Sequence, residues 1–167
     1  MQTVVKHHNP HPYFEDKKRL QQFCQRMLGR IMFLYFLQKK DFLAEDRQFL
    51  TQQYRHRKLQ SHGTEYYTAV LENLFFNVLN TPMDQRSGLP DAWCRGIPYL
   101  NGGLFERDYG VGIVDGAGQE TPAEIHLPNS LFDPGNTSSI LAFFNRYNIA
   151  WRRASATTVE LGASNPR

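Results

Sequence analysis

The sequence predicts a mainly α, helical bundle-like domain with a Gly/Pro-rich irregular segment that holds a small β-hairpin. Two observations carry the helices: long apolar stripes recur at three- and four-residue spacing around 20–35 and 66–79. A third carries the irregular segment: six of the nine prolines and most of the 12 glycines fall between Pro82 and Gly135. At 167 residues the chain is about one domain long. Aromatic residues make up 13%, enough for a packed interior, while 21% charged residues and a mean hydropathy of -0.53 favour solubility.

Residues 1–14 are rich in His and Pro and predict an irregular N-terminal arm. The strongest helix spans Glu15 to Lys40, with Leu20, Phe23, Cys24, Met27, Leu28, Ile31, Leu34 and Tyr35 on one stripe. Phe33, Phe36 and Leu37 widen that stripe, so its C-terminal end is expected to be buried nearly all round. Each such side chain contributes roughly 1.5–3 kcal/mol on burial, before entropy is charged. A second helix from about Ala44 to Lys58 has thin apolar content: Phe49, Leu50 and Tyr54. A third runs from about Thr64 to Asn80 and is stopped by Thr81-Pro82, because proline lacks an N–H and restricts the residue before it. Val111–Val114 and Glu124–Leu127 are strand candidates around the Asp115-Gly116-Ala117-Gly118 turn. Helix resumes over Thr137–Asn148. Residues 15–148 thus form the helical domain, and 149–167 form a divergent tail expected to be disordered.

Several function classes lose support. The longest clean apolar run, Ile31–Leu37, is bracketed by Arg26, Arg30, Lys39 and Lys40 and is far short of the roughly 20 residues of a membrane span. The polar, histidine-containing start is unlike a signal peptide, and cysteines outside any paired motif fit a reducing, cytoplasmic setting. Cys24 and Cys94 form no C-x-x-C pair, and Cys24 falls on the helical stripe as a small core residue. His7, His8 and His11 are close in sequence, but a metal would need a further ligand on a rigid element, so no metal site is assigned. Asn9-Pro10-His11-Pro12-Tyr13 approaches the N-P-P-Y loop with which adenine-N6 methyltransferases hold a flipped base, but His11 splits the prolines and no cofactor loop precedes it. Glu15-Asp16-Lys17 matches the E-x-K half of a nuclease motif but opens a helix, where acidic residues complement the dipole. Neither a phosphate loop nor a G-x-S-x-G elbow is present, so no catalytic residue is assigned.

The basic residues suggest a contact with a polyanion. Net charge is +3, and Lys39, Lys40, Arg55, Arg57 and Lys58 sit at two predicted helix C-termini, outside the apolar stripes. They either offset the helix dipole or touch phosphates.

Four blocks occur in order: residues 27–40 (MLGRIMFLYFLQKK), 70–82 (VLENLFFNVLNTP), 97–106 (IPYLNGGLFE) and 143–148 (FFNRYN). Together they resemble a stretch of the bacterial type IIG, Eco57I-like restriction-modification enzymes. In that family a nuclease is joined through a helical region to an adenine-N6 DNA methyltransferase. The resemblance implies that this chain is the helical connecting region, non-catalytic, with nuclease and methyltransferase modules as partners and weak, sequence-independent DNA contact. S-adenosylmethionine and Mg²⁺ would belong to the full-length enzyme, not to this chain. The Asn101-Gly102-Gly103 turn is then an interdomain turn, where glycine removes a side-chain obstacle to a neighbour. The basic Ile149-Ala150-Trp151-Arg152-Arg153 departs from the acidic continuation that such enzymes usually show. The alternative is a stand-alone protein-interaction domain without a DNA role. Aromatic surface left uncovered would favour self-association in either case.

Overall fold

A computed structural model describes residues 1–60, 65–89, 92–100, 103–106, 112–114, 120–122 and 125–146, with residues 58–60 and the two strands described by backbone alone. The helices are α1 (Gln2–His8), α2 (Pro12–Glu15), α3 (Lys17–Lys39), α4 (Phe49–Gln60), a π-helix (Tyr67–Val78), α5 (Trp93–Gly96) and α6 (Ile140–Arg146). Single 3₁₀ turns occur at Met83–Gln85, Gly103–Phe105 and Asn129–Leu131. The mainly helical class predicted by the sequence is what the structure has.

The 23-residue α3 is the central element, touching α1, α2, α4 and the Gly103–Phe105 turn. Asp16 caps its start: Oδ1 accepts from the Lys18 N–H at 2.8 Å and the Arg19 N–H at 3.0 Å. These bonds, led by the one from Arg19, hold the Asp16 carboxyl below its ordinary pKa. The buried stripe is as predicted at Leu20, Phe23, Cys24, Met27, Ile31, Leu34 and Tyr35. The C-terminal end is not buried all round, however. Leu28, Met32 and Phe36, spaced by four, form an exposed stripe. Arg30, one of the charged residues that bracket the apolar run, is buried.

The N-terminal residues differ from the expected irregular arm. They form α1 and α2, with Val5 and Phe14 fully inside the core and Phe14 edge-on to Phe23. Helices this short are marginal alone and take their stability from tertiary packing, which no local pattern reports. His11 caps α2 by accepting the Tyr13 N–H on Nδ1, and Lys6 pairs with Glu15. Asn9 is also structural: its amide donates to the Val5 and His126 carbonyls and accepts from the His126 N–H, across 117 positions. The near-motifs at Asn9–Tyr13 and Glu15–Lys17 are thus the joints of this corner.

The second helix starts at Phe49, not Ala44, because Asp41, Ala44 and Glu45 hold positive φ angles of 63°, 51° and 57°. The third is wound as a π-helix. Its buried apolar residues, taken with its two caps, are Tyr66, Val70, Leu74 and Val78 beside Tyr67, Leu71, Phe75 and Leu79, two rows spaced by four, with Phe76 half-buried beside them. In an α-helix of 3.6 residues per turn such rows drift by about 40° per step. A winding with i→i+5 bonds places more residues in each turn and lessens that drift. The Leu79 N–H to Leu74 carbonyl bond, 2.9 Å, has that offset. Arg86 ties its C-terminal end to α5: it donates to the Val78 and Thr81 carbonyls after the π-helix and to the Cys94 and Ile97 carbonyls of the α5 segment, at 2.7–3.0 Å.

A two-stranded antiparallel sheet pairs β1 (Gly112–Val114) with β2 (Glu120–Pro122), Ile113 opposite Thr121. The first strand is where it was expected. The second lies earlier than Glu124–Leu127, and its intervening turn, 115–119, lies outside the described residues. The last helix begins at Ile140, since Ser139, rather than Thr137, caps it by accepting the Ala142 N–H on Oγ. The expected tail 149–167 also lies outside the described residues. No helix among the described residues is long and apolar enough to cross a membrane.

Candidate functional site

One polar recess of about 420 Å³ lies where α3, the α3–α4 loop, α4 and α6 meet. Its floor is fixed by the buried side chains of Tyr35, Gln38 and Thr51, which the exposed Asn145 joins from α6 at the rim. Tyr35 stacks on Phe144 at 5.1 Å, and its hydroxyl lies 2.9 Å from Asn145 Oδ1 and 3.2 Å from the Leu141 carbonyl. The Asn145 amide in turn donates to Thr51 Oγ1 at 3.1 Å. Burial raises the Tyr35 pKa, which keeps the hydroxyl protonated as a donor. Gln38, also buried, accepts the Leu50 N–H at 2.9 Å and so ties α3 to the first turn of α4.

Three cations line the recess: Lys39 from the end of α3, Arg47 from the loop and Arg55 from α4. Arg47 forms a two-point ion pair with Asp41, Nε to Oδ1 and Nη2 to Oδ2, both 2.9 Å. The pair lowers the Asp41 pKa and raises that of Arg47, in each case first through the side-chain hydrogen bond. Such a site, cations over a floor of hydroxyl and amide groups, has the chemistry to hold an anion with several oxygens.

The structure brings together two of the five predicted basic residues, Lys39 and Arg55. Lys40 sits with its ammonium 5.9 Å from the Phe36 ring centre, and Arg57 is half-buried on α4; neither lines the recess. The Lys58 side chain lies outside the described residues. Sequence reasoning missed Arg47, Thr51 and Asn145. The Asp41-to-Arg47 spacing carried no periodic signal, and Asn145 reaches Thr51 from 94 positions away.

Of the predicted interdomain turn, Asn101 and Gly102 lie outside the described residues. Gly103 opens a 3₁₀ turn, and a Cβ there would meet only the Glu106 carboxyl group, at 4.0 Å. The turn is held from below by Arg30. Its Nε donates to the Leu104 carbonyl and its Nη2 to the Glu106 carbonyl, both 2.7 Å, and its guanidinium lies 5.6 and 5.2 Å from the Phe75 and Phe76 ring centres. Desolvation lowers the Arg30 pKa. Elsewhere, an apolar groove of about 510 Å³ runs between α3 and α6, lined by Leu28, Met32, Leu131, Ile140 and Phe143 among others. Among the described residues no three His, Cys, Asp or Glu side chains come together as a metal site.

Residues 18–105 match the family model described as "MmeI, helicase spacer domain", just over half of the chain. The chain belongs to this family. The spacer-domain match covers α3, α4, the π-helix, α5 and the Gly103–Phe105 turn, and with them Arg30 and the three recess cations. Over 95 residues the chain is 38% identical to a Methanocaldococcus jannaschii protein whose name reads type II restriction enzyme and methyltransferase. That alignment covers 56% of this chain and 8% of the relative. No solved structure matches. The resemblance to the helical connecting region of type IIG enzymes, drawn from the four sequence blocks, therefore holds.

Proposed function

We propose that this spacer domain holds the nuclease and methyltransferase modules of a type II restriction-modification polypeptide in fixed relation, and that its Lys39–Arg47–Arg55 recess contacts the phosphate backbone of DNA. The observation that carries the DNA contact is the convergence of three cations from three successive segments on one recess. The positioning role is supported by the relative, of which this domain matches only 8%, and by the Gly103–Phe105 turn that Arg30 holds at the surface. Methyl transfer and cleavage would draw on S-adenosylmethionine and Mg²⁺ in other parts of that polypeptide. The described residues supply neither a clustered ligand set for the metal nor a cofactor loop, so no chemical step is assigned to them.

Titration of labelled duplex DNA at about 50 and 200 mM salt tests the contact. Binding is expected to be independent of sequence and to weaken with salt. Lys39→Ala and Arg55→Ala should each flatten the salt slope by about 1. No binding at low salt would remove the DNA contact and leave the spacer role. For that role, a Gly102→Val change at the equivalent position of a full-length relative is expected to impair both activities. Unchanged activities would take the turn out of the reading.

A further inference from the structure

We infer that Asp41 is a built-in competitor for DNA phosphate, engaging the Arg47 guanidinium at the recess until a phosphate takes the carboxylate's place. This rests on the proposed DNA contact and adds a regulating residue to it. The Asp41 carboxylate presents two oxygens to the Arg47 fork at 2.9 Å each, and a phosphate presents an equivalent pair, so the guanidinium exchanges one for the other without changing its mode of binding. The exchange is accessible because both side chains face solvent, Arg47 at 72% and Asp41 at 42% exposure. An exposed pair of this kind is screened and weakly held.

Asp41 itself is fixed in place. Its N–H bonds the Gln38 carbonyl, the Phe42 N–H bonds the Leu37 carbonyl, and fully buried Leu43 anchors the loop that follows. Its φ of 63° lies in the left-handed region, which Asp and Asn adopt more readily than other side chains with a Cβ. Asp41→Asn therefore removes the charge and keeps the backbone. The Arg47 guanidinium then faces phosphate oxygens without the carboxylate that engages it in the wild type.

The test is a double-mutant cycle on the whole chain: wild type, Asp41→Asn, Arg47→Ala and both together, titrated with labelled duplex DNA across a salt series. Removing the competitor should tighten binding at low salt by about two- to fivefold, the factor a surface ion pair carries, with little change in the salt slope because the same Arg47–phosphate contact forms in both chains. The double variant should match Arg47→Ala, with no gain. Asp41→Gly, which also removes the carboxylate and suits the φ of 63°, should give the same gain and carries the test if Asp41→Asn fails to fold. Wild-type binding that Lys39→Ala weakens and Asp41→Asn leaves unchanged would overturn the competitor role alone. A gain that persists in the Arg47→Ala background would do the same, since it would reflect only the lost negative charge. Absence of binding by every variant at low salt would overturn the DNA contact itself.

Discussion

Replacement of Arg30 by lysine and by methionine separates the two halves of its energetics. Arg30 is 3% exposed and makes two charge-assisted bonds, to the Leu104 and Glu106 carbonyls, over the rings of Phe75 and Phe76. Hydrogen bonds to a charged group are worth roughly 1.5–3 kcal/mol each, so about 3–6 kcal/mol is at stake in the fork. Methionine loses both bonds but also removes the cost of desolvating a cation, and the two carbonyls belong to a surface turn that water reaches. Its net cost is expected to be about 1–3 kcal/mol. Lysine keeps the buried charge, reaches one carbonyl at a time and loses the planar fit, so it is expected to cost about 2–4 kcal/mol, no less than methionine. Urea unfolding followed by circular dichroism measures both, with an unchanged m-value as the sign that the same transition is compared. If Arg30→Lys fell within about 0.5 kcal/mol of wild type, the two-carbonyl fork would not be what stabilises the turn.

Asn9→Ala removes three hydrogen bonds at a 6% exposed site and leaves the His126 N–H without its acceptor, for an expected loss of about 2–4 kcal/mol; hydrogen exchange should show the His126 amide losing protection, and unchanged protection would mean that Asn9 does not hold this segment. The Asp16 cap predicts a pH dependence. Its folded pKa is lowered below 3.8, so its contribution is fully present above that value and is lost as pH falls through the lower folded value. In Asp16→Asn, which still caps, that part of the acid-unfolding curve should flatten; a curve identical to wild type would refute the assignment.

Local pattern along the chain was enough to place the long helices, most of the core-facing residues of α3 and the π-helix, and the family. Those are local or ordered properties: an apolar stripe is written in the spacing of neighbouring residues, and the four blocks keep their order along the chain. Its reading of α3 failed where the answer depended on what lies across from it. Leu28, Met32 and Phe36 look like core and stay exposed, while Arg30 looks like a flank and is buried because two carbonyls from 74 and 76 positions away satisfy it. The π winding had a signal, two rows spaced by four, that only the winding itself made legible. The N-terminal helices had none, since Asn9 and Phe14 are held by partners that the local sequence does not contain. Tertiary structure alone decided the recess. It selected Lys39 and Arg55 from five basic residues and supplied Arg47, Thr51 and Asn145, because a site built from side chains of α3, α4 and α6 exists only once packing has set those helices side by side.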